Sequence, residues 1–326
     1  MLDPSILTRK IRAALAPRSL GAWPTPLEPA DQLGDTSGLG ALWIKREDVS
    51  SPLYGGSKVR GLEFLLTAAH SETVYVTLGG TGSTHCLATA VHAAALSQRT
   101  VLAQFPQPST DVTRALALAC ERAATRVVRA RWRATLPVAV ARAWLTARRL
   151  GSPRWIPGGG AHPRGVVGHF LAALELAVQL SDPPDGIVVP LGSGGTAAGL
   201  ALAIATLGWR TSVVAVRVAP LVVANRWRVS ALAGGAARLL GRCDVALPKP
   251  DPLRVMVVDG IGAGYGHPTA GGDAARALAA THGLALEPTY GAKAFAVLPT
   301  LATHGFRRVV FWHTFALPPH IPERLA

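Results

Sequence analysis

Short runs of β-branched residues alternate with alanine-rich segments along most of this 326-residue chain. Several runs are apolar almost throughout, as strands that are covered on both faces should be. The runs that predict strands are Thr73–Leu78, Thr100–Phe105, Arg126–Val128, Gly186–Leu191, Thr211–Val216, Leu253–Val258 and Arg308–His313. The segments that predict helices are Asp111–Ala124, Leu136–Leu150, Gly165–Gln179, Thr196–Leu207 and Gly271–His282. The repeated order of strand, helix and strand predicts an α/β fold with mainly parallel sheets.

Cysteine usage and hydropathy exclude several classes of protein. The three cysteines are widely spaced and lack any CxxC pairing, which predicts a reduced, cytoplasmic protein without a structural zinc site. No stretch of about eighteen uncharged apolar residues has the character of a membrane span. The segment Met1 to Leu20 lacks the continuous apolar region of a secretory signal. We therefore expect no membrane contact.

The formal net charge of +14 comes largely from arginine. One region is especially rich in it: Arg114, Arg122, Arg126, Arg129, Arg131, Arg133, Arg142, Arg148, Arg149 and Arg154. A nucleic-acid surface would explain such a patch, but no aromatic stacking pattern, helix-turn-helix signature or zinc-finger spacing accompanies it. Many of these arginines lie among alanines, as on solvated helix faces. They predict a solvated face, or a surface for anions or a partner, and no nucleic-acid partner.

Lys58 stands out in the run Gly55-Gly56-Ser57-Lys58-Val59-Arg60. It is one of only five lysines, with Lys10, Lys45, Lys249 and Lys293, in a chain that otherwise uses arginine for positive charge. A lysine in a chain this rich in arginine indicates amine chemistry that a guanidinium cannot perform. An amine behind glycines can form a Schiff base with an aldehyde, and pyridoxal phosphate is the commonest such cofactor. The alternative is a surface lysine after a turn.

The first glycine-rich loop, Gly192-Ser193-Gly194-Gly195-Thr196, stands between a predicted strand and a predicted helix. Its backbone N–H groups and the helix N-terminus suit a phosphate, to which Ser193 and Thr196 can add hydroxyl donors. The alternative is a glycine turn that only joins strand to helix. A dinucleotide is disfavoured because the next strand offers no acidic residue for a ribose, and a Walker site because no lysine follows the glycines.

The second loop, Gly79–Cys86, places Ser83 near a helix start, where backbone amides can bind a carboxylate. The alternative role of Ser83 is a helix N-cap, which does not exclude contact with substrate. The spacing is not that of a serine hydrolase, and the adjacent His85 and Cys86 lack metal-ligand spacing. We therefore expect no metal.

Together these motifs resemble the family of 1-aminocyclopropane-1-carboxylate (ACC) deaminase and D-cysteine desulfhydrase, within the fold-type II, tryptophan synthase β-like pyridoxal-phosphate enzymes. The resemblance is nearly end to end and rests on these blocks: 24–27, 44–48, 55–64, 79–90, 156–161, 192–200, 262–266, 287–293 and 313–314. It implies two α/β domains with the active site in the cleft between them, and a homodimer. A large cofactor-binding domain would comprise residues 1–50 and 161–326, and a smaller inserted domain residues 51–160.

The resemblance also implies roles for individual residues. Lys58 would be the Schiff-base lysine and proton carrier, Ser83 would assist proton transfer, and Tyr265 and Tyr290 would be the active-site tyrosines. The residues implied in cofactor binding are Lys58, Thr84, Gly192, Ser193, Gly194, Gly195, Thr196, Tyr290 and Thr314. Those implied in binding a small amino-acid substrate are Ser83, Thr84, His85, Gly159 and Tyr265.

The sequence departs from the usual family pattern close to the expected cofactor. The family usually has Asn at Ser57 and at Thr84, Lys at Gly61, Thr or Glu at Gly291, and Gly-Gly at Phe315-Ala316. Gly291 has no side chain to tune the ring nitrogen, so another group or water must do so. The Glu and Leu associated with opening the aminocyclopropane ring are absent at Gly291 and Thr314, which disfavours the deaminase.

The resemblance implies an α,β-elimination that releases a keto acid and ammonia from D-cysteine or a related small amino acid. A sulfonated substrate such as cysteate is an alternative, because anionic substrates suit a basic protein. A second alternative, supported by the departures, is a degenerate paralogue that binds the cofactor without turnover.

Overall fold

The structure, a computed structural model, describes residues 3–67, 70, 72–245, 247 and 253–315. Lys249, Ala316 and the ends of the expected large domain, residues 1–2 and 317–326, lie outside the described residues. The strands are β1 (Leu27–Pro29), β2 (Ala41–Arg46), β3 (Thr73–Gly80), β4 (Arg99–Phe105), β5 (Arg126–Arg129), β6 (Ser152–Ile156), β7 (Gly186–Leu191), β8 (Ser212–Arg217), β9 (Val255–Asp259) and β10 (Arg308–His313). The helices are α1 (Pro4–Leu15), α2 (Asp31–Thr36), α3 (Lys58–Leu65), α4 (Thr84–Ala95), α5 (Asp111–Ala123), α6 (Leu136–Leu150), α7 (Pro163–Gln179), α8 (Gly195–Leu207), α9 (Arg226–Gly241), α10 (Ala270–Thr281), α11 (Gly291–Phe295) and α12 (Leu298–Thr303).

The larger sheet combines strands from early and late parts of the chain, in the order β1-β2-β10-β7-β8-β9. β1 runs antiparallel to β2, and all other pairs in this sheet are parallel. Along β10, Val309 and Phe311 pack into one apolar cluster, whereas Val310 and Trp312 pack into another. Both faces of the strand are therefore buried, which explains why this segment is apolar without alternation.

The smaller sheet has the order β5-β4-β3-β6, with every pair parallel. Apolar side chains of α4 and α5 pack on one face and those of α6 on the other. The α/β fold with mainly parallel sheets, predicted from the sequence, is thus confirmed. The expected division at residues 50/51 and 160/161 stays a prediction.

All predicted strands and helices are present, with ends that match or differ by at most two residues. The pattern missed β1, β2 and β6. Pro153 and Arg154 obscure β6, and both are tolerated because β6 lies at a sheet edge. The charged end of β2 is compatible with a strand because Lys45 is buried with partners described below. No helix of the described residues is long and apolar enough to span a membrane.

Helices α3, α7 and α8 approach one another closely because of glycine. A methyl group at Gly168 of α7 would lie 1.9 Å from the carbonyl oxygen of Arg60 in α3. A methyl group at Gly199 of α8 would lie 2.4 Å from Cβ of His169 in α7. Because packed backbone cannot move aside as the end of a side chain can, these glycines set the helix spacing. They also fix α3, whose first residue is Lys58.

We expect Gly168→Ala to lower the free energy of unfolding by about 1–3 kcal/mol or more, since the added methyl group must push α3 away from α7. Chemical denaturation provides the measurement. Gly241→Ala is the matched control, because a methyl group at Gly241 meets no atom within 4 Å. Equal midpoints for the two variants would contradict the packing argument.

Candidate active site

A cavity of about 480 Å³ lies at the carboxyl ends of strands from both sheets. This is where ligands bind in open parallel sheets. β3 leads into the loop before α4, β7 leads into the loop before α8, and β10 leads to Thr314. The cavity is lined by every residue that the sequence analysis assigned to the site: Lys58, Ser83, Thr84, His85, Gly159, Gly192, Ser193, Gly194, Gly195, Thr196, Tyr265, Tyr290 and Thr314.

The loop before Lys58 requires its glycines. A Cβ atom at Gly55 would lie 2.0 Å from the carbonyl oxygen of Asp48, and Gly56 has φ +109°. The Gly56 N–H donates to the carbonyl oxygen of Glu47 at 3.0 Å. Only a chain without side chains at these two positions can make this turn. The turn places Lys58 at the wall of the cavity.

The Lys58 amine is available for chemistry. It makes no hydrogen bond or ion pair with another described residue, and it lines the cavity. Burial lowers the pKa of Lys58 to about 8, because the charged ammonium loses hydration. A substantial fraction of the amine is therefore neutral, and hence nucleophilic, slightly above neutral pH.

A buried ion cluster, consisting of Lys45, Glu47, Arg60 and Glu175, lies against α3. Arg60 donates to Glu47 at 2.7 Å and to Glu175 at 2.8 Å, and the Lys45 amine lies 2.5 Å from Glu175. Although burial alone would raise it, the pKa of Glu47 is lowered by the Arg60 guanidinium. The cluster ties α3 to β2, to the turn after β2, and to α7. Loss of one partner would leave a buried charge uncompensated.

The glycine loop, Gly192–Thr196, joins β7 to α8. Gly194 has φ +91° and is the N-cap of α8, so no side chain caps the first amides of this helix. The hydroxyl of Thr196 has no hydrogen-bond partner among the described residues. On the other side, Gly159 approaches so closely that a methyl group there would lie 2.3 Å from Ser193 Oγ. Free helix amides, a free hydroxyl and glycine backbone are the donors that a phosphate group requires.

Ser83 is the N-cap of α4, and its Oγ accepts from the Cys86 N–H at 3.3 Å. The capping role considered from the sequence is thus present, and Ser83 lines the cavity as well. Gly79 makes room for it, since a methyl group there would lie 2.5 Å from Ser83 Oγ. Thr84, the first residue of α4, has no hydrogen bond from its hydroxyl to another described residue. The start of α4 therefore offers donors to a carboxylate.

His85 is a neutral member of the cavity wall. Its Nε2 lies 2.9 Å from Thr77 Oγ1, and its buried Nδ1 has no partner among the described residues. Burial, together with the nearby Lys58, lowers the pKa of His85 to about 3. The imidazole is therefore uncharged at physiological pH.

Tyr265 and Tyr290 form a hydroxyl pair with an oxygen–oxygen distance of 2.5 Å. Their rings meet edge to face with centroids 6.1 Å apart, and Tyr290 packs beside Gly192 of the glycine loop. Burial raises the pKa of Tyr265 to about 12 and that of Tyr290 well above its usual value. Both phenols therefore hold their protons at neutral pH, although within the pair only one hydroxyl can donate to the other.

The structure shows which residues surround Phe315 and Gly291, two of the positions that depart from the family pattern. The Phe315 ring packs 5.5 Å from that of Tyr54, and both line the cavity. Gly291 is buried behind the wall, where its N–H donates to Glu287 at 2.7 Å. No Asp or Glu is among the described residues that line the cavity. The carboxylate of Glu287 lines a small neighbouring pocket with Tyr290 instead, and it accepts from the N–H groups of Tyr290 and Gly291.

Several residues at the cavity were not singled out from the sequence: Tyr54, Phe105, Val222, Val223 and Arg228. Arg133, which the sequence analysis placed on a solvated face, is exposed but also lines the cavity. Its guanidinium lies 5.8 Å from the centroid of Phe105. No motif marks these positions, because only the folded sheets bring them to one place. Among the described residues, no group of three or more His, Cys, Asp or Glu side chains could hold a metal ion.

Comparison with known proteins gives concordant matches. The family model described as "Pyridoxal-phosphate dependent enzyme" matches residues 18–314. Nocardicin C-9' epimerase from Nocardia uniformis subsp. tsuyamanensis is 36% identical over 314 residues, 89% of this chain and 90% of that protein. D-cysteine desulfhydrase from Salmonella schwarzengrund is 31% identical over 324 residues, 91% of this chain and 95% of that protein. The crystal structure of an ACC deaminase homologue has a TM-score of 0.81 and 30% identity, and the match covers 94% of both chains.

We expect the attachment of pyridoxal phosphate to the apo-protein to accelerate with pH and to level off above about pH 9, one unit above the pKa of Lys58. Only the neutral Lys58 amine attacks an aldehyde, and its pKa of about 8 sets the midpoint of the rise. Stopped-flow absorbance measures this rate. A rate that keeps rising towards pH of about 10 would indicate an ordinary lysine, and Lys58→Ala should show no attachment at the site.

Proposed function

The chain belongs to the family of pyridoxal-phosphate-dependent enzymes, in the group of ACC deaminase and D-cysteine desulfhydrase, and we propose that it catalyses α,β-elimination on a small amino acid. The simplest substrate is D-cysteine, which with water would give sulfide, pyruvate and ammonia. The observation that carries the proposal is that Lys58, the glycine loop and the tyrosine pair line one cavity. This reaction can use the amine as nucleophile and base, the phosphate site to hold the cofactor, and a protonated phenol as the acid for the leaving group.

The residues present fit the cofactor. Lys58 would hold its aldehyde carbon, the glycine loop its phosphate, and Tyr290, Thr84 and Thr314 would contact its ring. The fit rests on the uncapped start of α8 and on the unpaired Lys58 amine. When bound, pyridoxal phosphate supplies a conjugated ring that withdraws electrons from the substrate's α-carbon.

The protein groups would orient the substrate and move its protons. The start of α4, with Ser83 and Thr84, would receive the substrate carboxylate, while His85 and Gly159 complete that side of the cavity. The neutral Lys58 amine would accept the α-proton at Nζ. Tyr265 keeps its proton at neutral pH, so its hydroxyl can donate to a departing thiolate. One proton is thereby taken up at Lys58 and one is delivered to the leaving group.

A sulfonated amino acid such as cysteate is a second candidate substrate. Arg133 supports it, because this arginine lines the cavity and forms no ion pair with a described carboxylate. Its only described hydrogen bond is a weak one, from Nε to the carbonyl oxygen of Pro106 at 3.4 Å. The terminal nitrogens could therefore bind a sulfonate on the substrate side chain.

Epimerisation is a second candidate reaction, favoured by the 36% identity to nocardicin C-9' epimerase. It would share removal of the α-proton with elimination but return a proton to the opposite face. A degenerate paralogue that binds cofactor without turnover is the third alternative, and the departures at Ser57, Gly61, Thr84, Gly291 and Phe315 support it. Product analysis distinguishes elimination, epimerisation and cofactor binding without turnover.

We propose further that the enzyme is a cytoplasmic homodimer. The dimer is what the resemblance to the family implies. The described cysteines are all unpaired thiols, as expected in a reducing compartment.

We expect the holoenzyme to release sulfide, pyruvate and ammonia in equal amounts from D-cysteine, within a panel of D- and L-amino acids. Lys58→Ala should lower the rate by about 10²–10⁴-fold or more, because both the attachment point and the base are lost. Lys10→Ala, which removes an exposed lysine, is the control. Stereochemical inversion without product release would instead support an epimerase. Cofactor uptake with neither outcome would support the degenerate paralogue.

We expect Arg133→Gln to lower kcat/KM for cysteate about 10- to 100-fold and to leave kcat/KM for D-cysteine unchanged, since only the sulfonate needs a charged hydrogen bond. Steady-state assays with both substrates test this. Arg131→Gln is the matched control, because this exposed neighbour does not line the cavity. An equal loss for both substrates would exclude a role for Arg133 in recognising the side-chain anion.

A further inference from the structure

Arg228, in the first turn of α9, lies against the glycine loop. Its Nε donates to the carbonyl oxygen of Ser193 at 2.9 Å. Its Cγ would be 3.9 Å from a Cβ atom placed on Gly194. The backbone N–H of Arg228 donates to the side chain of Asn225, the N-cap of α9, at 2.8 Å. Hydrogen bonds thus fix both the backbone and the side chain of Arg228, and the residue lines the same cavity as Lys58.

The guanidinium of Arg228 has capacity for an anion. The residue is half-buried, and no described carboxylate lies within 4 Å of its nitrogens. The first turn of α9 contains Arg226 and Arg228 and no acidic residue. Two cations at the positive end of a helix are unfavourable unless an anion lies nearby. The two terminal nitrogens of Arg228 have no acceptor among the described residues.

Among the described residues that line the cavity, no other cation is available to the glycine loop. The other basic residues that line the cavity are Lys58, His85 and Arg133. Lys58 is needed for the cofactor's aldehyde, His85 is neutral, and Arg133 packs over Phe105.

Gly61, a position at which the family resemblance leads us to expect lysine, contributes no charge either. A methyl group at Gly61 would already lie 3.2 Å from the carbonyl oxygen of Gly165. The contact between α3 and α7 is therefore already tight for a single methyl group at this position.

We propose that Arg228 is a ligand of the cofactor phosphate in this protein. Its Nε stays on Ser193, and its terminal nitrogens donate to phosphate oxygens, a role for which the planar guanidinium is well suited. The positive charge at the glycine loop then comes from α9, whose Val229, Leu232 and Arg228 lie beside Gly194. This inference deepens the proposed cofactor site and requires only cofactor binding, so it holds whichever reaction follows.

The test is a titration of apo-protein with pyridoxal phosphate and, separately, with pyridoxal, which lacks the phosphate. Absorbance of the lysine-bound cofactor gives both dissociation constants. We expect Arg228→Gln to weaken pyridoxal phosphate binding about 10- to 100-fold, because a charged hydrogen-bond donor to the phosphate is lost. Pyridoxal binding should change less than about twofold, since pyridoxal has no phosphate for Arg228 to contact.

Arg226→Gln is the matched control, since it removes an exposed arginine from the same turn that makes no hydrogen bond or ion pair with a described residue. It should leave both affinities unchanged. Equal weakening for both ligands, or none for either, would overturn the proposal.

If Arg228→Gln fails to fold, Arg228→Lys decides, because it keeps the charge and should lose affinity for pyridoxal phosphate alone. Thermal stabilisation of the apo-protein by inorganic phosphate, lost in Arg228→Gln but not in Arg226→Gln, is a second readout independent of Lys58 and of turnover.

Discussion

The pairing of Arg60 with Glu47 and Glu175 is the interaction on which the site depends most. A buried guanidinium cannot be left without its carboxylates, so the three side chains and Lys45 hold β2, α3 and α7 in one arrangement. One turn later, Glu63 accepts from Trp23 Nε1 at 3.0 Å and from Arg12 at 3.1 Å, which ties α3 to the N-terminal segment as well. Lys58 is the first residue of the helix that these contacts fix. Its position is thus set by the protein before any ligand arrives, which is the preorganisation that a reactive group requires.

Much of the fold follows from patterns that are local in sequence. β7, the glycine loop and α8 could be predicted because an apolar run, a glycine turn and an alanine-rich segment follow one another directly. The short edge strand β6 could not, since Pro153 and Arg154 are acceptable only because one side of it faces no neighbour. Buried ion pairs are a second feature that the sequence pattern does not predict. Nothing near Arg60 in sequence shows that its carboxylate partners come from the turn after β2 and from α7.

The residues of the candidate site also divide into those that a local sequence signal predicts and those that it does not. Lys58 and the two glycine-rich loops carry local signals, and the resemblance to a family added the tyrosines, Thr84, His85, Gly159 and Thr314. Arg133 and Arg228 carry no such signal, because an arginine at a cavity and one on a solvated helix look alike in a chain so rich in arginine. Only the folded structure, in which the carboxyl ends of both sheets meet, places these two arginines at the cavity. The described wall then has cationic side chains and no carboxylate, a polarity that favours anionic groups on both cofactor and substrate.

Val222, Val223 and Arg228 all line the cavity and lie in one short segment between β8 and the first turn of α9. Val222 is 83% exposed, so it belongs to the rim rather than to the interior. The same stretch of chain therefore borders the entrance and reaches the glycine loop. A change in the backbone of this segment that reshapes the entrance would also move Arg228 relative to Ser193, to which it donates a hydrogen bond. Substitutions in this segment are therefore expected to change substrate selectivity and cofactor affinity together.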